Sequence, residues 1–353
     1  MSLQAIDLYC GIGGLTRGLT DAGVPVIAGF DIDETCRFAY EHNNNAHFFA
    51  QDVKDVTGEQ INALYTPGVT RVLVGCAPCQ PFSNMVTKYR KSDDKKKKFE
   101  QDVKWNLLAQ FGRIIRESLP DIVSMENVPK IQRTNVFADF LQILNDNGYK
   151  VTYKTVYCPK YGIPQNRRRT VLLASRLGAI TIIPETHNID EYTTVRQYIA
   201  NLPSVTAGGV CSTDPLHKTA ALSNLNLQRI KSSRPGGSWK DWNESLRAQC
   251  HRRETGATYT SVYARMEWDK IAPTMTTQFY SYGTGRYGHP EQDRAITLRE
   301  GALLQTFPQD YCFVPDGVNI PIKTIAQHIG NAVPVQLGQV IGQSILKHVA
   351  GGN

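Results

Sequence analysis

No stretch of the 353 residues approaches the roughly 20 consecutive apolar positions that a membrane-spanning helix needs. The N-terminus, MSLQAIDLYCGIGG, has no basic start of the secretory kind, and Asp7 and the glycines interrupt its apolar run. No period of solenoid length repeats, and low complexity is confined to KSDDKKKKFEQD (91–102). Disulfide patterning is missing too. The eight cysteines stand singly apart from Cys76 and Cys79, and a chain this long can bury a core without staples, so a reducing, cytoplasmic setting is expected. A structural zinc site wants four ligands, usually from a second C-x-x-C or a His pair. Cys158, Cys211, Cys250 and Cys312 stand alone, so no metal is expected. Acid is in modest deficit: 39 Lys and Arg against 32 Asp and Glu leave a net charge of +7, which fits either a solvated surface or a polyanionic partner.

What is present is an alternation. AIDLY (5–9), PVIAGF (25–30), RVLVG (71–75), DIVSME (121–126), YKVTYKTVY (149–157) and TVLLA (170–174) read as strands. LTRGLTDAG, ETCRFAYEHN, WNLLAQFGRIIRESL and VFADFLQILNDNG between them carry helical spacing. The pattern predicts an α/β fold with a doubly wound, mostly parallel sheet and ligands beyond the C-terminal ends of its strands. From about 176 to 290 the rhythm gives way to Thr, Ser, Asn, Gly and Pro with single aromatics, which predicts a second, smaller and irregular domain. TLREGALLQTF (297–307) and TIAQHIGNAVPVQLGQVIGQSILKHV (324–349) look helical again, and the last helix is expected to return to the first domain.

Four segments carry chemistry. DLYCGIGG (7–14) ends a strand and opens a helix, and its small residues let backbone N–H groups approach a ligand. The turn is G-x-G-G, and it serves equally for tight packing. Asp31 follows about 20 residues on, at the end of the next strand, where an acid can accept both ribose hydroxyls. Asp52 ends a short third strand, HFFAQD, and could meet an adenine amino group or simply cap a helix. Together these favour an adenosine-containing cofactor.

GCAPCQPFS (75–83) resembles a thioredoxin-type C-x-x-C, but that motif starts a helix, whereas here a long polar loop follows. Strand RVLVG brings Cys79 to the sheet rim, and Pro78 and Pro81 stiffen it, which suits one positioned nucleophile. Cys76 then reads as a buried, small apolar residue. MENVP (125–129) places Glu126 at a neighbouring strand end. QNRRR (165–169) precedes the TVLLA strand and, beside a nucleophile and an acid, could grip a phosphate or a base carbonyl.

These segments, with TLREGALLQTFP and GNAVPV, resemble in order the motifs of the S-adenosylmethionine-dependent cytosine-5 DNA methyltransferases, from residue 7 to 335. The resemblance implies a Rossmann-like methyltransferase domain (1–185 plus 324–353). It also implies a smaller domain (186–323) that holds the target-recognition region, about 186–290, and a hinge. It further implies methyl transfer from S-adenosylmethionine to carbon 5 of a cytosine flipped out of duplex DNA, through a cysteine adduct at carbon 6, with S-adenosylhomocysteine as product.

The roles carried over are these. Cys79 attacks carbon 6, Glu126 bonds ring nitrogen 3 and the amino group, and Asn127 braces the Pro78–Cys79 turn. Arg169 contacts the base carbonyl, and Arg167 fixes the cysteine loop and a phosphate. Asp7, Tyr9, Gly11, Gly13, Gly14, Asp31, Ile32, Asp52, Val53, Pro78, Asn331 and Val333 serve the cofactor side. Gln80, Ser83, Lys88, Lys95, Lys96, Lys97 and Lys98 contact DNA, the lysines by neutralising phosphates.

Duplex DNA is thus the expected partner. A cognate restriction endonuclease is compatible with the resemblance, no membrane is expected, compactness suggests a bacterial or phage origin, and DNA held between two lobes of one chain suggests a monomer. Three rivals stay open: a transfer-RNA methyltransferase on the same scaffold, a catalytically silent binding module, and a redox enzyme using Cys76 and Cys79.

Overall fold

The structure is a computed structural model and describes residues 2–78, 106–253, 256 and 258–351. It divides into two compact units: Met1–Tyr157 with Arg168–Glu185 and Val335–Asn353, and Cys158–Arg167 with Thr186–Pro334. Residues 158–167 and 324–334, which the sequence reading puts with the first domain, therefore group with the second unit.

The first unit is built on strands β1 (Leu3–Leu8), β2 (Val26–Asp31), β3 (His47–Ala50), β4 (Thr70–Gly75), β5 (Ile122–Asn127), β6 (Lys150–Tyr157) and β8 (Arg168–Ser175), in the order β3-β2-β1-β4-β5-β8-β6. Pairs β1–β2, β2–β3, β1–β4 and β4–β5 are parallel, and β8 runs antiparallel to both neighbours. The expected doubly wound sheet is present. Central strands read as nearly unbroken apolar runs because both faces are covered, and all six residues of β5 are buried.

Register then does the placing. Leu8 pairs with Phe30 and Gly75, Gly75 with Met125, and Asn127 with Thr170. The C-terminal ends of β1, β2, β4 and β5 and the start of β8 thus share one rim. Strand order reverses between β1 and β4, where open α/β sheets bind ligands.

Helix α1 (Gly14–Asp21) follows the glycine turn, and Gly13 precedes it in the left-handed region at φ 84°. It packs against the C-terminal helix Val335–Ala350 with backbone almost touching backbone. A Cβ on Gly18 would lie 2.1 Å from the Val335 carbonyl, and one on Gly338 2.9 Å from that of Leu15. The sequence reading runs one helical stretch through 324–349. The structure breaks it into Ile322–Asn331 and Val335–Ala350. Pro334 has no N–H to give and biases Val333 away from helix, so the break falls there.

The second unit has short helices, among them Asn224–Lys231 and Leu298–Leu304, and a two-residue parallel ladder of β7 (Gln165–Asn166) with β9 (Ala272–Pro273). With little ladder available, side chains satisfy the backbone. Buried Arg265 donates to the carbonyls of Ile230, Ser233, His289 and Gln292 and pairs with Asp293. Its core holds Ile230, Trp239, Trp242, Val262, Tyr282 and Ala295, with Trp239 stacked on His251 at 4.3 Å. Among the described residues no helix is long and apolar enough to cross a membrane.

Candidate active site

At the end of β1 the chain turns through Tyr9 and Gly11 at φ 58° and 50°. The Tyr9 hydroxyl donates to the Leu107 carbonyl at 2.6 Å, and burial pushes its pKa up. The space where Gly11 would carry a Cβ is open, with nothing within 4 Å. Asp31, at the end of β2, accepts from Gly11 N–H (2.8 Å) and Asp33 N–H (3.0 Å), so the acid is clamped to the glycine turn. Burial holds its pKa above the ordinary carboxylate value, against the pull of those two donors. Ile32 N–H also acts on it, and with four lone pairs on two oxygens the carboxylate still has acceptor capacity. Ile32 beside it is 71% exposed, an apolar surface at the rim next to an acid.

Other members of the cofactor set are placed differently from the expectation of direct contact. Asp7 is 1% exposed. Its Oδ2 accepts from Thr16 Oγ1 at 2.8 Å, which ties β1 to α1, and its Oδ1 finds no hydrogen-bond partner among the described residues. Burial pushes its pKa up to about 7. A carboxyl this enclosed supports the turn from within. Val53 packs into the apolar core with Phe30 and Ile61, so its side chain is structural. Asp52 caps the short turn Val53–Asp55, accepting from Lys54 N–H at 3.0 Å and pairing with the Lys54 ammonium at 3.1 Å. Burial opposes, but these two donors hold its pKa below the usual value. The capping role is therefore real, and it leaves acceptor capacity on both oxygens.

The neighbouring strand ends hold the second cluster. Glu126 is 2% exposed. Its Oε1 lies 2.9 Å from Arg169 Nε, and its Oε2 accepts from Cys76 Sγ at 2.9 Å. Register explains the meeting: Gly75 pairs with Met125, so Cys76 and Glu126, one residue on, come abreast. Asn127 Nδ2 donates to the Ala77 carbonyl at 3.3 Å, and its Oδ1 accepts from Val128 N–H. The asparagine thus grips the chain immediately before Pro78, which is exposed. Cys76 is a correction to the sequence reading. It is partly exposed and hydrogen-bonded to a carboxylate, not a buried apolar filler.

Arg168 is exposed, with its guanidinium 4.1 Å from the Tyr157 ring centre. Arg167 belongs to the second unit and is 3% exposed, and it donates to the carbonyls of Met275 and Ala332. Those two bonds knit that unit's chain. In the same unit Asn331 is exposed at a helix end, and Val333 is buried. Cys79, Gln80, Ser83, Lys88, Lys95, Lys96, Lys97 and Lys98 lie outside the described residues.

Residues 3–347 match the sequence profile of the C-5 cytosine-specific DNA methylases. The chain belongs to that family. This methylase is 51% identical to the type II methylase M.HgiDII of Herpetosiphon aurantiacus, over 98% of its own length and 96% of the relative's. It is 30% identical to the type II methyltransferase M1.HphI of Haemophilus parahaemolyticus, over 98% and 87% of the two chains. A solved structure described as a DNA modification methyltransferase encoded within an Escherichia coli prophage superposes with a TM-score of 0.71 at 19% identity, over 99% of this chain and all of the other. DNMT2 from Spodoptera frugiperda gives 0.65 at 17% identity, over 98% of this chain and 100% of that one. At such low identity these two speak for the fold alone.

The protein is thus a DNA cytosine-5 methyltransferase. Sequence reasoning missed Cys76 as a partner of this methylase's acid. The pairing depends on the β4–β5 register, which brings Cys76, just past β4, abreast of Glu126 near the end of β5.

Proposed function

We propose that this methylase acts on a cytosine flipped out of duplex DNA, through a covalent adduct of Cys79, with S-adenosylmethionine as methyl donor. The observation that carries the reading is the buried Glu126 carboxylate. It is held between Arg169 and Cys76 at the strand end beside the one that leads, through Pro78, to Cys79.

The cofactor-side residues fit that donor. The space over Gly11 is open, Asp31 offers free lone pairs for ribose hydroxyls, Ile32 offers an apolar face for adenine, and Asp52 retains an acceptor for its amino group. When bound, S-adenosylmethionine supplies a methyl group on a positively charged sulfur, electrophilic enough for a carbon nucleophile.

The chain's own residues make cytosine into that nucleophile. The Cys79 thiolate forms a bond to carbon 6, and the displaced electron pair raises the density at carbon 5. Glu126 holds a proton at nitrogen 3, so the density does not cost a full negative charge there. Arg169, whose charge lies beside Glu126 Oε1 and which keeps N–H donors to spare, meets the base carbonyl. Asn127 holds the turn that carries the sulfur. After the methyl is in place, loss of the carbon 5 proton and cleavage of the sulfur–carbon bond restore the aromatic ring and the thiolate. Flipping the base costs a few kcal/mol, which DNA contacts must offset. Those contacts are proposed for Gln80, Ser83 and the lysines at 88 and 95–98, and for the second unit as the target-recognition part of a monomeric enzyme. Lys231, Arg234, Lys240, Arg252 and Arg253 are exposed on that unit.

The test is nucleoside mass spectrometry on mixed-sequence duplex DNA and, in parallel, transfer RNA, each incubated with protein and S-adenosylmethionine. New 5-methylcytosine in the DNA is expected. Labelling of transfer RNA alone would overturn the duplex reading. With 5-fluorocytosine in a methylated site, the carbon 5 substituent cannot leave as a proton, so a denaturant-stable protein–DNA band is expected. Cys79→Ser should abolish it, and a band that survives this change would move the nucleophile elsewhere.

A further inference from the structure

We propose that Cys76 is a positioning residue whose thiol holds the Glu126 carboxylate in the orientation it needs toward the base. The inference rests on the reading of Glu126 as the group that meets nitrogen 3. Cys76 Sγ donates to Oε2 at 2.9 Å, and Arg169 Nε lies 2.9 Å from Oε1. The thiol supplies the directional hydrogen bond, on Oε2, while the guanidinium sets its charge beside Oε1 without hydrogen-bond geometry, so the thiol is what fixes the plane of the carboxylate. Arg169 alone would leave it free to rotate about its last bond.

The carboxylate is 2% exposed, so water has little access to supply a substitute donor. Each oxygen still has a second lone pair, so holding the carboxylate does not block the base. A thiol is a weak donor, which suits an orienting contact that must not compete with the substrate. The placement follows from the β4–β5 register, since Gly75 opposite Met125 brings the next residues abreast. Packing alone would ask for an apolar, fully enclosed side chain at this position, whereas Cys76 is partly exposed and directed at a charge.

The experiment compares wild-type protein with Cys76→Ala, Cys76→Val and Cys76→Ser in single-turnover methylation of duplex DNA, with melting curves for each. Removing the donor in Cys76→Ala should lower the methylation rate about tenfold or more, a part of what a general acid contributes, while KM for DNA and for S-adenosylmethionine stays within about twofold. Cys76→Ser, which keeps a donor, should stay within about threefold of wild type. If Cys76→Ala does not fold, Cys76→Val, close in size and without a donor, takes its place. A donor-free variant at the wild-type rate would overturn the inference, and so would serine and alanine variants lowered equally. Glu126→Gln separates the two readings. If it retains the wild-type rate, the reading of Glu126 has failed. If it is inactive while Cys76→Ala is unimpaired, only the positioning role has failed.

Discussion

His289 shows what single buried groups contribute. It is 2% exposed, and its Nδ1 accepts from the backbone N–H groups of Glu291 (3.1 Å) and Gln292 (2.9 Å). Protonation at that nitrogen would remove both acceptor interactions, and burial penalises the added charge. Burial lowers the pKa from 6.5 to about 4, against the opposing pull of Glu300. The unfolded chain therefore takes up this proton first. Stability from this group is complete above pH 6.5 and is lost as pH falls from 6.5 toward 4, by about 1.4 kcal/mol per pH unit and about 3 kcal/mol in all. Three of the four tryptophans, Trp239, Trp242 and Trp268, lie in the second unit, so tryptophan fluorescence reports its unfolding. Denaturant melts should lose midpoint across that pH window, and His289→Asn, which keeps an acceptor and cannot titrate, should flatten the loss. An equal slope in the variant would assign the pH dependence to other groups.

At the scale of elements, the contact between α1 and the C-terminal helix is the most exacting in the first unit. A Cβ on Gly18 would lie 2.1 Å from a backbone carbonyl and 2.7 Å from Gly338 Cα, and backbone cannot swing aside as a flexible side chain can. Gly18→Ala should therefore cost about 2 kcal/mol, within the usual range for overpacking, and Gly18→Val more. Circular-dichroism melts would measure it. Because α1 begins at the glycine turn, S-adenosylmethionine affinity should fall with it. A variant with unchanged melting and affinity would show that the helices separate freely.

The sheet strands were legible because their apolar runs are long and both faces are buried. The glycine turn and Asp31 were legible because strand ends dictate where they fall. The helix Gly58–Leu64 was overlooked although Thr57 and Gln60 mark its start, with Gln60 N–H donating to Thr57 Oγ1 at 3.1 Å. The enclosure of Arg167 and the Cys76–Glu126 bond were not read at all. Both depend on which segments meet in space, and a local pattern does not carry that information.

For the whole molecule the decisive quantity is charge. The net +7 alone fits any solvated surface. On the second unit, however, Lys231, Lys240, Arg252 and Arg253 are exposed and make no ion pair among the described residues, whereas Arg196 is paired to Asp269 and Arg234 to Asp241. Cations whose charge is not neutralised by an internal carboxylate are the ones available to phosphates. Each phosphate neutralised releases a condensed counterion, so log affinity for duplex DNA should fall linearly with log salt, by about 0.9 per contact. Replacing Lys231, Lys240, Arg252 and Arg253 together by glutamine should weaken binding at low salt and reduce the slope by as much as about 3.6 if all four touch the backbone. Fluorescence anisotropy of a labelled duplex across a salt series measures both. The loss should be similar for methylatable and unrelated sequences, since phosphates carry no base identity. A selective loss on methylatable sequences would place these side chains on base edges. An unchanged slope would leave phosphate neutralisation to the lysine run between 88 and 104.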